Sequence, residues 1–343
     1  MLAKAFRAHV RALPMLALVA LLCGCAVSRP FAQLHLDRGE RALQEDDLQA
    51  ALAEFQEAVR LDPQLAEAHF KLGMAYKEAG RLDDAAESLE QAVRIEPLNY
   101  TSVFELGEVY RALQRMAQAI RAYLLACDIE PTNFEPRYRL AVVYHAAGDL
   151  SQAIESYRKA LELNPRHAQA WSNLGAAEDA QGNTYEAIRA YKRSLECDTS
   201  QPVVLVNLAT VYLNQERFST ARATLEKAIE LAPDLSVAHE RLGYCNWREQ
   251  RLDEAARCYE RAIALNPRNG AAHAGLGVVR MTQYLTDGAQ SRRRDEAIEA
   301  WHRSLEIDPE QPRLRTLIEK YRVRPEAPAI QLDDTSRPPP PQP

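Results

Sequence analysis

Four of the eight histidines, His35, His69, His239 and His273, stand in one register of the chain, 34 residues apart within each neighbouring pair. A metal ion needs its donors within a few ångströms of one point. A fixed step strings these side chains along a row instead, so they are expected to be partly buried packing residues. Among the six cysteines, Cys127, Cys197, Cys245 and Cys258 show no C-x-x-C pair and no ligand spacing. They read as small buried residues. Cys245 and Cys258 also fall roughly opposite one another on two adjoining helices, where an oxidising compartment would allow a disulfide. There is no glycine-rich phosphate loop, no G-x-S-x-G and no H-E-x-x-H. No catalytic site, no cofactor and no metal are expected.

Charge narrows the partner. The formal net charge is −6, whereas a nucleic-acid partner calls for a basic stripe, so no nucleic acid is expected. One basic run, Arg292, Arg293 and Arg294, lies within TQYLTDGAQSRRRDE. It is read either as part of a solvated loop or as a contact for an acidic partner or a phosphate.

The elements that carry these residues follow from the stretch Ala66 to Asn99, AEAHFKLGMAYKEAGRLDDAAESLEQAVRIEPLN. Ala66, His69, Phe70, Leu72, Gly73 and Tyr76 recur at three- and four-residue steps, the period of one helical face. Gly80 ends that helix by entering the left-handed conformation without a Cβ clash. Leu82, Ala85, Ala86, Leu89, Ala92 and Val93 give a second amphipathic helix, which Pro97 stops. Two short antiparallel helices cannot cover both apolar stripes, so the pair must stack on others of its kind.

The copies are in register. Steps of 34 from Gly73 reach Gly39, Gly107, Ala141, Gly175, Ala209, Gly243 and Gly277. The same step from Ala85 reaches Ala51, Ala119, Ala153, Ala187, Ala221 and Ala255, and from Pro97 it reaches Pro63, Pro131, Pro165, Pro233 and Pro267, with Thr199 as the exception. Small residues recur where helix backbones approach closely, with Phe55, Leu89, Tyr123, Tyr157, Tyr191, Leu225 and Tyr259 beside them. In the column headed by Tyr76, Glu178, Asn246 and Arg280 replace tyrosine and are expected to loosen individual contacts. Trp171 and Trp301 fall in packing columns and are expected in the core.

This pattern resembles the tetratricopeptide repeat. The resemblance implies an all-α fold: a right-handed superhelical solenoid of eight helix-turn-helix repeats over residues 32–311. Its first helices would line a concave groove for a protein partner. The eighth copy has eight extra residues, expected to enlarge the turn between its helices. Residues 312–323, with Leu314, Leu317, Ile318 and Tyr321, read as a capping helix, and 324–343 as a disordered, proline-rich tail.

The N-terminal residues carry a different signal. Lys4, Arg7 and Arg11 precede an apolar run from Leu13 to Leu22, too short to span a bilayer but of signal-peptide length. Leu21-Leu22-Cys23-Gly24-Cys25 then resembles the bacterial lipobox. That resemblance implies a signal peptide over 1–24, lipidation of Cys25, a tether over 25–31 and a lipid-anchored envelope protein. Ala26 after the cysteine suggests the outer membrane. Removal of the three basic residues would take the formal charge from −6 to about −9.

Binding is expected on the groove side of the first helices. Leu36, Phe70, Phe104 and Tyr138 form one column there, with Met74 and Arg111 beside it. Tyr244, Trp247 and Met281 form a second patch, in which Trp247 is either a hot spot or a side chain folded onto its neighbours. The function implied by the family resemblance is a non-enzymatic scaffold or adaptor for an envelope complex, similar in design to secretin pilotins or adaptors of cell-wall hydrolases. The alternative is a carrier whose groove holds a glycan or secretion substrate by stacking on Phe70, Phe104 and Tyr138.

Overall fold

A computed structural model of the chain describes residues 28–287 and 291–322. The calls on the signal peptide, on Cys25 and on the proline-rich tail lie outside the described residues. Every regular element described is a helix. The chain divides into two compact units at Thr199 and Ser200.

The first unit holds α1 (28–44), α2 (Leu48–Leu61), α3 (Ala66–Glu78), α4 (Leu82–Ile95), α5 (Tyr100–Ala112), α6 (Met116–Ile129), α7 (Phe134–Ala146), α8 (Leu150–Leu163), α9 (Ala168–Ala180) and α10 (Thr184–Cys197). From α3 onward each odd-numbered helix packs on the next helix, closing a pair, and on the previous one, joining it to the pair before. The second unit repeats the plan with α11 (Pro202–Asn214), α12 (Phe218–Leu231), α13 (Ser236–Arg248), α14 (Leu252–Leu265), α15 (Gly270–Asp287) and α16 (Ser291–Ile307), and adds α17 (Pro312–Tyr321) against α16. Each unit is therefore an α-solenoid of stacked helix pairs.

The boundaries have local causes. Asp47 and Asp149 accept backbone N–H bonds from Ala50 and Gln152 at the starts of α2 and α8, which satisfies donors that the helix cannot. Asp83 and Asp84 place negative charge at the start of α4, where the helix dipole favours it. Gly80 ends α3 at a φ of 74°, with Arg81 N–H returning to the Tyr76 carbonyl at 2.9 Å.

The extra residues of the eighth pair do not enlarge a loop. From α3 to α14 first helices span 13 residues and second helices 14, whereas α15 spans 18 and α16 spans 17. Arg292, Arg293 and Arg294 thus stand in the first turn of α16. Extending an existing helix costs far less than nucleating a new one, and the inserted stretch has no proline to stop it. Arg292 pairs with Glu296 at 2.8 Å and Arg294 with Asp295 at 2.8 Å.

Candidate functional site: the first-helix faces

The polar residues missed as a group are those in the column headed by Asp37. It reads Asp37, Lys71, Glu105, Arg139 on α1, α3, α5 and α7, alternating in sign. On this side of the first unit, ion pairs link consecutive first helices. Lys71 Nζ lies 2.5 Å from Glu40 Oε1, Lys77 Nζ donates to Glu105 Oε2 at 2.6 Å, and Arg139 Nε lies 3.5 Å from Glu108 Oε1 and 2.8 Å from Glu135 Oε1. Glu108 also accepts from Arg111 Nη2 at 2.8 Å and from the Tyr123 hydroxyl. Burial works to raise the Glu108 pKa, but the Arg111 and Tyr123 hydrogen bonds and the Arg139 charge outweigh it and hold the carboxyl below its ordinary range. These pairs are only partly buried and keep contact with water, where such pairs contribute about 0–1 kcal/mol each, so their effect lies more in fixing charge positions than in stability.

Between these charges the apolar column is only partly accessible. Phe70 and Phe104 are half-buried against the core, Phe104 stacking on Tyr100 with ring centroids 5.7 Å apart. Met74 and Arg111 are half-buried beside them. Leu36 is not a groove contact: it is 2% exposed, sealed in the core that holds Phe55. Tyr138 is also buried, its ring between Phe134 and His167 and its hydroxyl accepting from Asn173 Nδ2 at 3.2 Å.

In the second unit the patch shrinks. Tyr244 and Trp247 are half-buried with ring centroids 5.8 Å apart, and both pack on the cluster around Tyr259. Arg248 lies 4.2 Å above the Phe218 ring and donates to the Tyr244 hydroxyl at 2.8 Å. Met281 is 4% exposed and packs with Trp301, Leu314 and Ile318, so it belongs to the core closed by α17 rather than to a binding surface. Glu240 stands where the first unit has Phe70 and Phe104. Burial raises its pKa, and the charge of Arg241 only partly opposes this. A raised folded-state pKa costs stability when the group is ionised: the penalty is full above that pKa and vanishes below the unfolded value. Glu240→Gln should therefore raise the unfolding free energy at pH 8, by at most the ~1–3 kcal/mol of an unpaired buried polar group, as read by urea unfolding, and should have less effect at pH 4. Equal shifts at both pH values would refute this.

The histidine row acts as a tie between helices. His69, His239 and His273 each place Nε2 3.0–3.1 Å from the carbonyl of Pro63, Pro233 and Pro267, six residues earlier. Arg137 and Arg315 donate to Pro131 and Pro309 in the same way, at 3.0 and 2.8 Å. His35 instead meets Glu54 at 2.6 Å. Trp171 shares this role, donating from Nε1 to Pro165 at 2.8 Å, which leaves it half-buried rather than in the core where its column had placed it. Trp301 is in the core.

Cys245 and Cys258 are free thiols. Cys258 accepts from Asn246 Nδ2 at 3.6 Å, while Cys245 is buried, which pushes its thiol up to about 12. No group of His, Cys, Asp or Glu among the described residues could hold a metal ion.

Of the departures in the Tyr76 column, Glu178 and Arg280 are compensated, whereas Asn246 is loose as expected: its Nδ2 reaches Cys258 of its own pair at 3.6 Å and its buried Oδ1 has no partner among the described residues. Four members meet the residue twenty positions earlier, on the second helix of the preceding pair. Gln56 Nε2 donates to the Tyr76 hydroxyl at 2.7 Å, the Tyr110 hydroxyl to Glu90 at 2.5 Å, Arg158 to Glu178 at 2.6 Å, and Arg280 to Glu260 at 2.5 Å. At Glu178 and Arg280 an ion pair takes over the joint.

The helix-pair architecture recurs in known proteins. The family model described as the cilia and flagella-associated protein 70 C-terminal domain matches residues 97–280, one described as TPR repeat matches 39–80, and one described as tetratricopeptide repeat matches 66–99. No curated protein matches the chain significantly. Among solved structures, the C-terminal part of a TPR repeat-containing protein from Cytophaga hutchinsonii aligns at 17% identity and a TM-score of 0.59, covering 72% of this chain and 98% of that one. The APC/C hetero-tetramer Cut9–Hcn1 aligns at 19% identity and a TM-score of 0.52, covering 80% of this chain and 52% of that one. YrrB, described as a TPR protein with an unusual peptide-binding site, aligns at 24% identity and a TM-score of 0.48, covering 59% of this chain and 100% of that one. With more than half of its length inside the first of these models, the chain belongs to the tetratricopeptide-repeat family, in the branch described by the cilia and flagella-associated protein 70 C-terminal domain.

Proposed function

We propose that this chain is a non-enzymatic adaptor that holds a protein partner along its first helices, and that a lipid on Cys25 ties it to a bacterial envelope membrane. Tetratricopeptide arrays generally mediate protein–protein interactions. The observation that carries the groove reading is the half-open surface of α3 and α5, where Phe70, Met74 and Phe104 stay partly accessible between fixed charges. Apolar anchors rimmed by charges favour a protein partner, with affinity from the anchors and specificity from the charge pattern. The anchor rests on Leu21-Leu22-Cys23-Gly24-Cys25, and Ala26 points to the outer membrane facing the periplasm. Helping to assemble an envelope complex is the role this combination fits.

The carrier alternative has less support. It needs three open aromatic rings in a row, and Tyr138 is sealed by Phe134 and His167.

Affinity capture from crosslinked envelopes tests the reading. The intact protein is run beside a Phe70→Ala, Phe104→Ala, Trp247→Ala variant whose helical content is verified by circular dichroism. A partner lost only in the variant is the expected result; an unchanged partner set would remove the interface from these faces. In the same cells Cys25→Ser should leave the membrane fraction, and retention there would refute the anchor.

A further inference from the structure

The outermost helix of the first unit, α1, leaves open a face that the next first helices cover. On α3, α5, α7 and α9 that face packs on the second helix of the preceding pair. Tyr76 and Tyr110 mark its direction, since their hydroxyls bond to Gln56 and Glu90 on that second helix. One turn earlier on the same side stand Leu72 and Leu106, flanked by Ala68 and Ala75 on α3 and by Ser102 and Val109 on α5, all buried. No helix precedes α1 among the described residues.

On α1 the same places hold Leu34, Arg38 and Arg41, with Phe31 one turn before Leu34. Leu34 is 40% exposed and Phe31 57%, and both arginines are exposed. Guanidiniums in place of leucine and of alanine or valine let the end of an array meet water. They do not account for two adjoining apolar side chains left open beside them. The order along the helix is apolar first and cationic after, with Arg38 and Arg41 about 6 and about 10 Å beyond Leu34 along the axis. Two carboxylates border the face, Asp37 on its groove edge and Glu45 at its far end, so the axial order distinguishes it rather than any excess of charge.

We propose that this face is a membrane-contact surface: Phe31 and Leu34 enter the headgroup region of a phospholipid bilayer, and Arg38 and Arg41 reach lipid phosphates from one and two turns farther out. The inference rests on the lipid proposed for Cys25. Cys25 stands three residues before Ser28, where α1 starts, and that length of chain reaches at most about 10 Å. An acyl chain on Cys25 therefore holds the open end of α1 against the bilayer, within the ~5–10 Å to which interfacial helices sink their apolar side chains. Two apolar side chains bind a bilayer weakly by themselves, but a short tether makes their contact intramolecular and so effective. Arginine suits the outer position, because its apolar stem can lie along the lipid while the guanidinium stays with phosphate and water.

Fluorescence quenching on vesicles tests the proposal. The full chain, purified from membranes in detergent, is reconstituted in vesicles of phosphatidylethanolamine and phosphatidylglycerol, with a fluorescent amino acid at position 34 or, in a parallel preparation, at position 94 on α4. Phospholipid brominated near the glycerol end should quench position 34 at least about threefold more than position 94, and iodide in the water should do the reverse. Arg38→Glu, Arg41→Glu should cut the lipid quenching at position 34 by about half or more. Should the probe at 34 disturb α1, position 31 gives the same reading. Flotation of the vesicles reports the anchor separately. Protein that floats with them while position 34 answers to iodide alone overturns the contact and leaves the anchor standing; protein that stays behind refutes both. Shielding of position 34 from both quenchers would put a second copy or the chain's own first residues on this face and would overturn the proposal too. Lipid quenching indifferent to the reversal would overturn the role given to the two arginines.

Discussion

Trp301→Ala should unfold the end of the second unit while leaving the first unit folded. Trp301 is the largest fully buried side chain described, and it packs with Met281, Leu314 and Ile318, the residues that attach α17. Gly277 leaves room for it: a Cβ there would lie 2.4 Å from the indole and 2.9 Å from the Ala297 carbonyl. The indole N–H also donates to the Ala274 carbonyl at 3.2 Å. Truncation removes the ring and leaves a cavity, for about 3–5 kcal/mol. In a stacked array each pair contacts only its neighbours, so the loss should stay local. Hydrogen exchange in α15–α17 should accelerate about a hundredfold or more while α3–α8 keep their protection. Uniform acceleration would show that the array melts as one cooperative body; an unchanged α17 would show that the tryptophan does not hold the cap.

Arg158→Glu is the second large effect expected. Glu178 is 1% exposed and its carboxylate depends on Arg158, which is itself 54% exposed, and on Asn183. Reversing Arg158 leaves a buried charge facing a like charge. Stranding a buried charge costs about 3–5 kcal/mol, and the exposure of Arg158 argues for the lower end, about 3 kcal/mol. The double change Arg158→Glu, Glu178→Arg should recover much of this, though it moves the buried end of the pair to a longer side chain. Urea unfolding of the two variants provides the test. Full independence of the two changes in a double-mutant cycle would show that the contact carries no coupling.

The sequence and the structure agree where a single column decides the outcome. Glycine or alanine opposite a large second-helix side chain defines each pair, so the helix pairs could be read from the 34-residue step. The site was harder to read, because a residue one step off the apolar stripe sits at the edge between buried and exposed. Phe70 and Phe104 fall on the open side of that edge, whereas Leu36 and Tyr138 fall on the closed side. What decides is a neighbour distant in sequence, such as His167 beside Tyr138. The ion-pair joints needed two columns compared at once: Arg158 and Glu178, or Glu260 and Arg280, stand out only at their shared spacing of twenty. The extended α15 and α16 could have been anticipated, since Met281 and Tyr284 continue the apolar step of α15 beyond the usual length. The arginine run drew attention to a loop instead.

Site-specific photo-crosslinking tests the groove claim most directly. A photoreactive amino acid is placed at Lys71, on the groove side of α3, and in a parallel strain at Arg94, exposed on α4. If the partner lies along the first helices, illumination of living cells should join it to position 71 and not to position 94. Crosslinks from position 94 alone, or equal yields at both, would contradict a partner held in the groove.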